Sequence, residues 1–300
     1  MPALTSYDGT TLAYHVEGEG TPVVALPGGP MLDSASFDDL GGLTGHLRLI
    51  RLDLRGTGES ATPADPGTYR CDRQVDDVEA LRDHLGFDTL NLLGHSGGTN
   101  LVLSYAARYP DRVGSLILVA PSVYAVGIEV TGEDRRAIVE LRRDEPWFPV
   151  AGAAFDRVGS GQATDDDWAA IAPFFYGRWD AGAQAHYERG EGMRNNEAAR
   201  IYGSDGAFDP AALRAALSTV DAPVLVLAGE YDLNSPPRVV REIGALFPNA
   251  TLATQPGAGH ASPWFDDPAW FTKTVTAFLP VTPGTARWRA TAPRASPRGR

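Results

Sequence analysis

One cysteine stands among 300 residues, so no internal disulfide can form and no thiolate cluster can hold a metal. Its neighbours Asp72 and Arg73 make Cys71 the expected start of an exposed helix, an unpromising place for a reactive thiol. Long hydrophobic runs are also missing. Stretches such as 113–120 and 222–228 are strand-length, far short of the roughly 18 apolar residues that cross a bilayer. The opening MPALTSYDGTTLAY has neither the charged start nor the apolar core of a secretion signal. A cytoplasmic protein without membrane contact is the expectation.

Net positive charge is lacking as well: the formal net charge is −12 at pH 7. Residues 281–300 carry Arg287, Arg289, Arg294, Arg298 and Arg300 and no acid, so the rest of the chain is still more acidic. A phosphate backbone would be repelled, which argues against a nucleic-acid partner. The basic tail, rich in Pro, Thr and Ala, is expected to be a disordered extension.

What is present is a globular composition, 43% hydrophobic and 21% charged, with alternating strand-like and helix-like segments. Strands are expected at 11–16, 22–26, 47–54, 89–93 and 113–120, and helices at 72–85 and 97–108. In the first helix Val75, Val78, Leu81 and Leu85 recur at three- and four-residue spacing before Gly86 ends it. The rhythm resumes with strands at 224–228 and 250–255 and helices at 236–247 and 268–279. Apolar runs without polar alternation belong to a mostly parallel sheet covered by helices on both faces, the α/β class. Residues 121–220 interrupt the pattern with 12 of the 27 aromatics, 16 acids and 10 arginines at helical spacing. We therefore expect a core of residues 1–120 and 221–280, a helical lid at 121–220 and the tail at 281–300. Asp165, Asp166 and Asp167 after Thr164 read as an N-cap and an acidic first turn, so no metal or cofactor is implied.

Gly94-His95-Ser96-Gly97-Gly98 matches G-x-S-x-G at a strand-to-helix junction, where a sharp turn lifts a serine hydroxyl above the sheet edge. A hydroxyl needs a base to become nucleophilic, and the base needs an orienting acid. His15, His46 and His84 precede the serine and His186 lies in the insertion; only His260, after the last strand, has the required place. Asp232, after the preceding strand, is the expected acid, with Glu230 as its local rival. His95 has a supporting role, because neighbouring side chains on a sharp turn point apart. The N–H groups of Gly29, in Pro27-Gly28-Gly29-Pro30, and of Gly97 are the expected oxyanion donors.

These blocks, with 53–60 (DLRGTGES), resemble the α/β-hydrolase superfamily over about residues 5–280, and within it the proline iminopeptidase branch. Pro27-Gly28-Gly29-Pro30-Met31 corresponds to that branch's His-Gly-Gly-Pro-Gly turn, with Pro27 and Met31 as departures. The resemblance implies an α/β-hydrolase fold with an inserted lid and a serine hydrolase acting on a small molecule or short peptide. It also makes Glu197 the expected counterpart of the lid acids that hold a substrate's free amine. Trp147, Phe174, Phe175, Tyr176 and Trp179 are the aromatics expected to wall the acyl pocket. An acyltransferase or cyclase using the same triad, and a ligand-sensing member with little turnover, remain open. An aspartate-nucleophile dehalogenase or epoxide hydrolase is disfavoured by serine at 96.

Overall fold

The computed structural model describes residues 2–190 and 192–279; the tail expected at 281–300 lies outside the described residues. Eight strands form one sheet: β1 Ala3–Thr5, β2 Thr11–Glu17, β3 Pro22–Leu26, β4 Arg48–Leu52, β5 Leu90–His95, β6 Val113–Val119, β7 Val224–Gly229 and β8 Ala250–Gln255. Their order is β1-β2-β4-β3-β5-β6-β7-β8; β2 pairs antiparallel with both β1 and β4, and the other pairings are parallel. β1, three residues long, is too short to register in the sequence, and β4 is shorter than the strand expected at 47–54.

Period-two alternation divides the apolar residues of each strand between the two faces. Val24, Leu92, Leu116, Leu118 and Val226 pack on one side in the larger core, whereas Ala25, Leu93, Ile117, Val119 and Leu227 point into a second core. The larger core is covered by α1 Cys71–Leu85 and α2 Gly98–Arg108, and later by α9 Pro237–Gly244; the second takes α10 Pro263–Asp266 and α11 Pro268–Phe278. α1 ends where Gly86 turns left-handed and its N–H reaches the carbonyls of Arg82 and Asp83. Cys71 corrects the sequence reading: it opens α1 but is buried, 4.0 Å from Ser104 Oγ, and burial pushes its thiol up to about 12. The large apolar face of α1 draws its first residue inward despite the polar neighbours.

The 53–60 block proves to be a scaffold. Asp53 accepts from Ser34 Oγ (2.5 Å) and the Glu59 N–H (2.9 Å), and buried Arg55 is held by Asp77 and Asp8. These contacts fix the loop after β4.

Between β6 and β7 the chain forms α3 Gly132–Glu140, α4 Phe148–Gly159, α5 Asp165–Ala170, α6 Ala181–Gly190, α7 Asn196–Tyr202 and α8 Pro210–Leu217. Reciprocal capping boxes open α3 (Thr131 and Asp134) and α5 (Thr164 and Asp167), and Asp167 also binds Arg157 at 2.6 Å. Ile138, Val139, Ala151, Ala154, Ile171 and Phe174 form a small core with Leu233, which comes from the loop after β7. Val126, Ala198, Tyr202, Leu217 and Val220 instead join the main core. No helix among the described residues is long and apolar enough to cross a membrane.

Candidate active site

Parallel registry brings the carboxyl ends of β3, β5, β6, β7 and β8 to one edge of the sheet, and the loops leaving them carry the candidate residues. After β3 the chain crosses to β4 on one side and then to β5 on the other, so Gly29 and Ser96 flank the point where strand order reverses. At the elbow Ser96 has φ of 47°, a left-handed conformation that side chains seldom adopt. Its N–H donates to Val119 O at 3.0 Å, and its carbonyl accepts from Thr99 N, Thr99 Oγ1 and Ser122 N. Gly98 is needed because α2 runs against β3: a Cβ there would lie 2.3 Å from Leu26 O.

Ser96 Oγ lies 2.9 Å from His260 Nε2, and His260 Nδ1 lies 2.9 Å from Asp232 Oδ1. A carboxylate only accepts, so Nδ1 carries the proton and Nε2 is free to take the serine's. Asp232 is fully buried, and its Oδ1 also accepts from the N–H groups of Asn234 (2.9 Å) and Ser235 (2.8 Å). Glu230 is occupied elsewhere, accepting from the Gly257 N–H at 2.8 Å. His95 donates Nε2–H to the His260 carbonyl at 3.0 Å, and burial, with the nearby His260 ring, lowers its pKa to about 4. It is a neutral strut under the histidine loop. Among the described residues, neither the Gly29 nor the Gly97 N–H has a main-chain acceptor, and both glycines border space next to Ser96. Gly97 also precedes α2, whose dipole favours negative charge at that end.

Three cavities meet at Ser96. The largest, about 500 Å³, is bordered by Phe175, Tyr176, His186, Arg194 and His260. A second of about 330 Å³ runs past Gly97, Tyr124 and Arg200, and a third of about 360 Å³ past Glu129, Arg135 and Asn234. Of the expected wall residues, Phe175 and Tyr176 reach this space. Phe174 does not: it is the centre of the insertion's own core, met edge-on by Trp147, Phe148 and Phe155. Trp147 stays there too, carrying the Arg142 guanidinium 4.9 Å from its ring. Trp179 stands behind the wall, supporting Tyr176 and Tyr187 at 5.4 and 6.0 Å. Glu197 is exposed on the first turn of α7 and borders none of the three cavities.

Sequence reasoning passed over His186 as well as Arg194. Ser262 Oγ donates to Ala261 O, so it accepts from His186 Nε2–H (3.2 Å) while His186 Nδ1 accepts from Tyr176 OH (2.9 Å). Asp266 ties this wall to the histidine loop, with Oδ2 accepting from Gly177 N–H (3.0 Å) and Gly259 N–H (2.8 Å); burial raises its pKa. Among the described residues no group of three or more His, Cys, Asp or Glu side chains is arranged to hold a metal.

A family model for the alpha/beta hydrolase fold matches residues 21–267, and the chain belongs to this family of enzymes. A proline iminopeptidase from Heyndrickxia coagulans is 26% identical over 273 residues, covering 87% of this chain and 91% of its own. A Bacillus subtilis protein, provisionally named a 2-succinyl-6-hydroxy-2,4-cyclohexadiene-1-carboxylate synthase, is 29% identical, with 77% and 81% covered. Among solved structures, a thermophilic esterase from Thermogutta terrifontis superposes with a TM-score of 0.64 at 26% identity, covering 93% and 97%. The proline iminopeptidase-like resemblance therefore has relatives behind it, alongside others with different named activities.

Proposed function

We propose that the protein is a serine hydrolase that cleaves an ester or amide through an acyl-enzyme intermediate. The observation that carries this reading is the unbroken chain Ser96 Oγ, His260, Asp232, with both contacts at 2.9 Å. Ser96 attacks the substrate carbonyl as His260 Nε2 takes its proton, and Asp232 holds the imidazole and stabilises its charged form. Gly29 and Gly97 donate to the oxyanion. The imidazolium then protonates the leaving group, and a water deprotonated by His260 releases the acyl group.

A fluorophosphonate probe is expected to label Ser96, and Ser96→Ala is expected to lose on the order of 10⁴ or more in kcat while melting near wild type. Retained turnover in Ser96→Ala would end this reading. Proline-iminopeptidase-like cleavage is the finer alternative: relatives so named support it, but Glu197 faces solvent. An acyltransferase or cyclase would give transfer or ring products when an alcohol or amine is added. Labelling of Ser96 with no turnover across an ester panel would favour a sensing role. The proposal keeps the cytoplasmic setting expected from the sequence, which cell fractionation checks.

A further inference from the structure

The segment Arg194-Asn195-Asn196-Glu197 places its acid in solvent and its arginine on the largest cavity. Of the ten arginines in 121–220, Arg136, Arg142, Arg143, Arg157, Arg178 and Arg189 each have a carboxylate within 4.0 Å. Arg135, Arg194 and Arg200, the three that border space next to Ser96, have none among the described residues. In a chain with a net charge of −12, three arginines without a carboxylate partner among the described residues, set around one serine whose cavities have Glu129 as their one described acid, mark a place where an anion is received.

Arg194 is the best held of the three. Its neighbours are tied to the turn that carries Gly29: Asp33 N–H donates to Met193 O (2.9 Å) and Asn195 N–H to Met31 O (3.0 Å). Asn195 also donates its side-chain amide to Gly56 O at 2.8 Å. Arg194 Nε donates to Pro30 O at 3.1 Å, which pins the guanidinium plane while its two Nη groups keep no protein acceptor among the described residues. Although the side chain stays open to solvent on one side, the protein strips enough water from it to lower its pKa. A bound anion would offset that loss. Two free Nη groups in one plane match the two oxygens of a carboxylate, whereas a phosphate monoester carries more charge than one guanidinium balances.

We infer that Arg194 binds a carboxylate carried by the substrate, so that the enzyme acts on anionic esters whose charge sits on the acyl part, as in hemiesters of dicarboxylic acids, or on the leaving group. This rests on the Ser96 reading above. Two ester pairs test it: p-nitrophenyl hemiglutarate against its methyl-capped neutral form, and 4-carboxyphenyl against phenyl butyrate. In one pair kcat/KM is expected to favour the carboxylate about 10- to 100-fold, the range of a hydrogen bond between charged groups. Arg194→Gln should bring that ratio close to one, Arg194→Lys should restore part of it, and Arg143→Gln, an exposed paired arginine, should leave it unchanged. No preference in either pair, or a preference that survives Arg194→Gln, would overturn the inference. Calorimetry of glutarate binding to Ser96→Ala, with and without Arg194→Gln, separates the two readings. Arg194-dependent binding without probe labelling of Ser96 would keep the anion site and sink the hydrolase reading, whereas labelling with no Arg194-dependent binding would do the reverse.

Discussion

Asp232 and Glu230 stand two residues apart, and their partners divide their roles. Asp232 faces His260 Nδ1, while Glu230 accepts from the Gly257 N–H on the outer side of the same loop pair. Asp232→Asn is expected to keep the fold but lower kcat by about 10⁴, because an amide leaves the imidazole in the wrong tautomer. Glu230→Gln still accepts from Gly257 and should change kcat by less than about threefold. Steady-state kinetics on one activated ester decide it, and a reversed order would move the acid to Glu230. His95 makes a different prediction. An unfolded histidine gains a proton near pH 6.5, but folded His95 holds out to about 4. Its contribution to stability is therefore complete above pH 6.5 and is lost as pH falls towards 4, by up to about 3 kcal/mol. Urea midpoints measured from pH 8 to 4.5 should fall less steeply in His95→Ala than in wild type; parallel slopes would mean that His95 takes up its proton in the folded state.

At the scale of the element, the turn after β3 shows two effects in competition. Met31 occupies the position that is glycine in the proline iminopeptidase motif, and its φ of 64° lies in the left-handed region. Met31→Gly would relieve about 1–2 kcal/mol of backbone strain. It would also empty a fully buried site where Met31 Sδ accepts from Gln74 Nε2 at 3.4 Å, a loss of about 2–5 kcal/mol. Packing wins, so Met31→Gly is expected to destabilise the protein, as read by the denaturation midpoint; a more stable variant would show that strain dominates. The same contrast explains what was legible in advance. The elbow, β3 to β8 and the helices that flank them announce themselves because local sequence and tertiary environment agree there. Aromatic composition marked the insertion as apolar but could not tell Phe175, which meets the cavity, from Phe174, one residue earlier in the insertion's own core. For 194–197, the acid drew notice through a family likeness while the orientation of the arginine depended on pairing with Asp33 and Met31, far away in the chain. Cys71 was misjudged for a related reason: its polar neighbours were read, but the face of α1 decided its burial.

Taken whole, the molecule joins its sheet to a helical insertion, and the small core of that insertion is completed by Leu233 from the loop after β7. Arg238 from α9 reaches Asp134 at the start of α3. The junction nearest the chemistry is Asp266. One of its oxygens serves as a common peg for Gly177, just beyond Tyr176 in the cavity wall, and Gly259, the residue before His260. Door and latch thus hang from a single bolt, so a wall that swung outward would free the loop carrying His260 in the same movement. Hydrogen exchange should find the amides of Gly177 and Gly259 opening together, and Asp266→Ala should expose both at once; independent exchange of the two would separate door from latch. If they open together, the enzyme is idle whenever its entrance stands open, and a bound acyl group meets an aligned base only behind a closed wall.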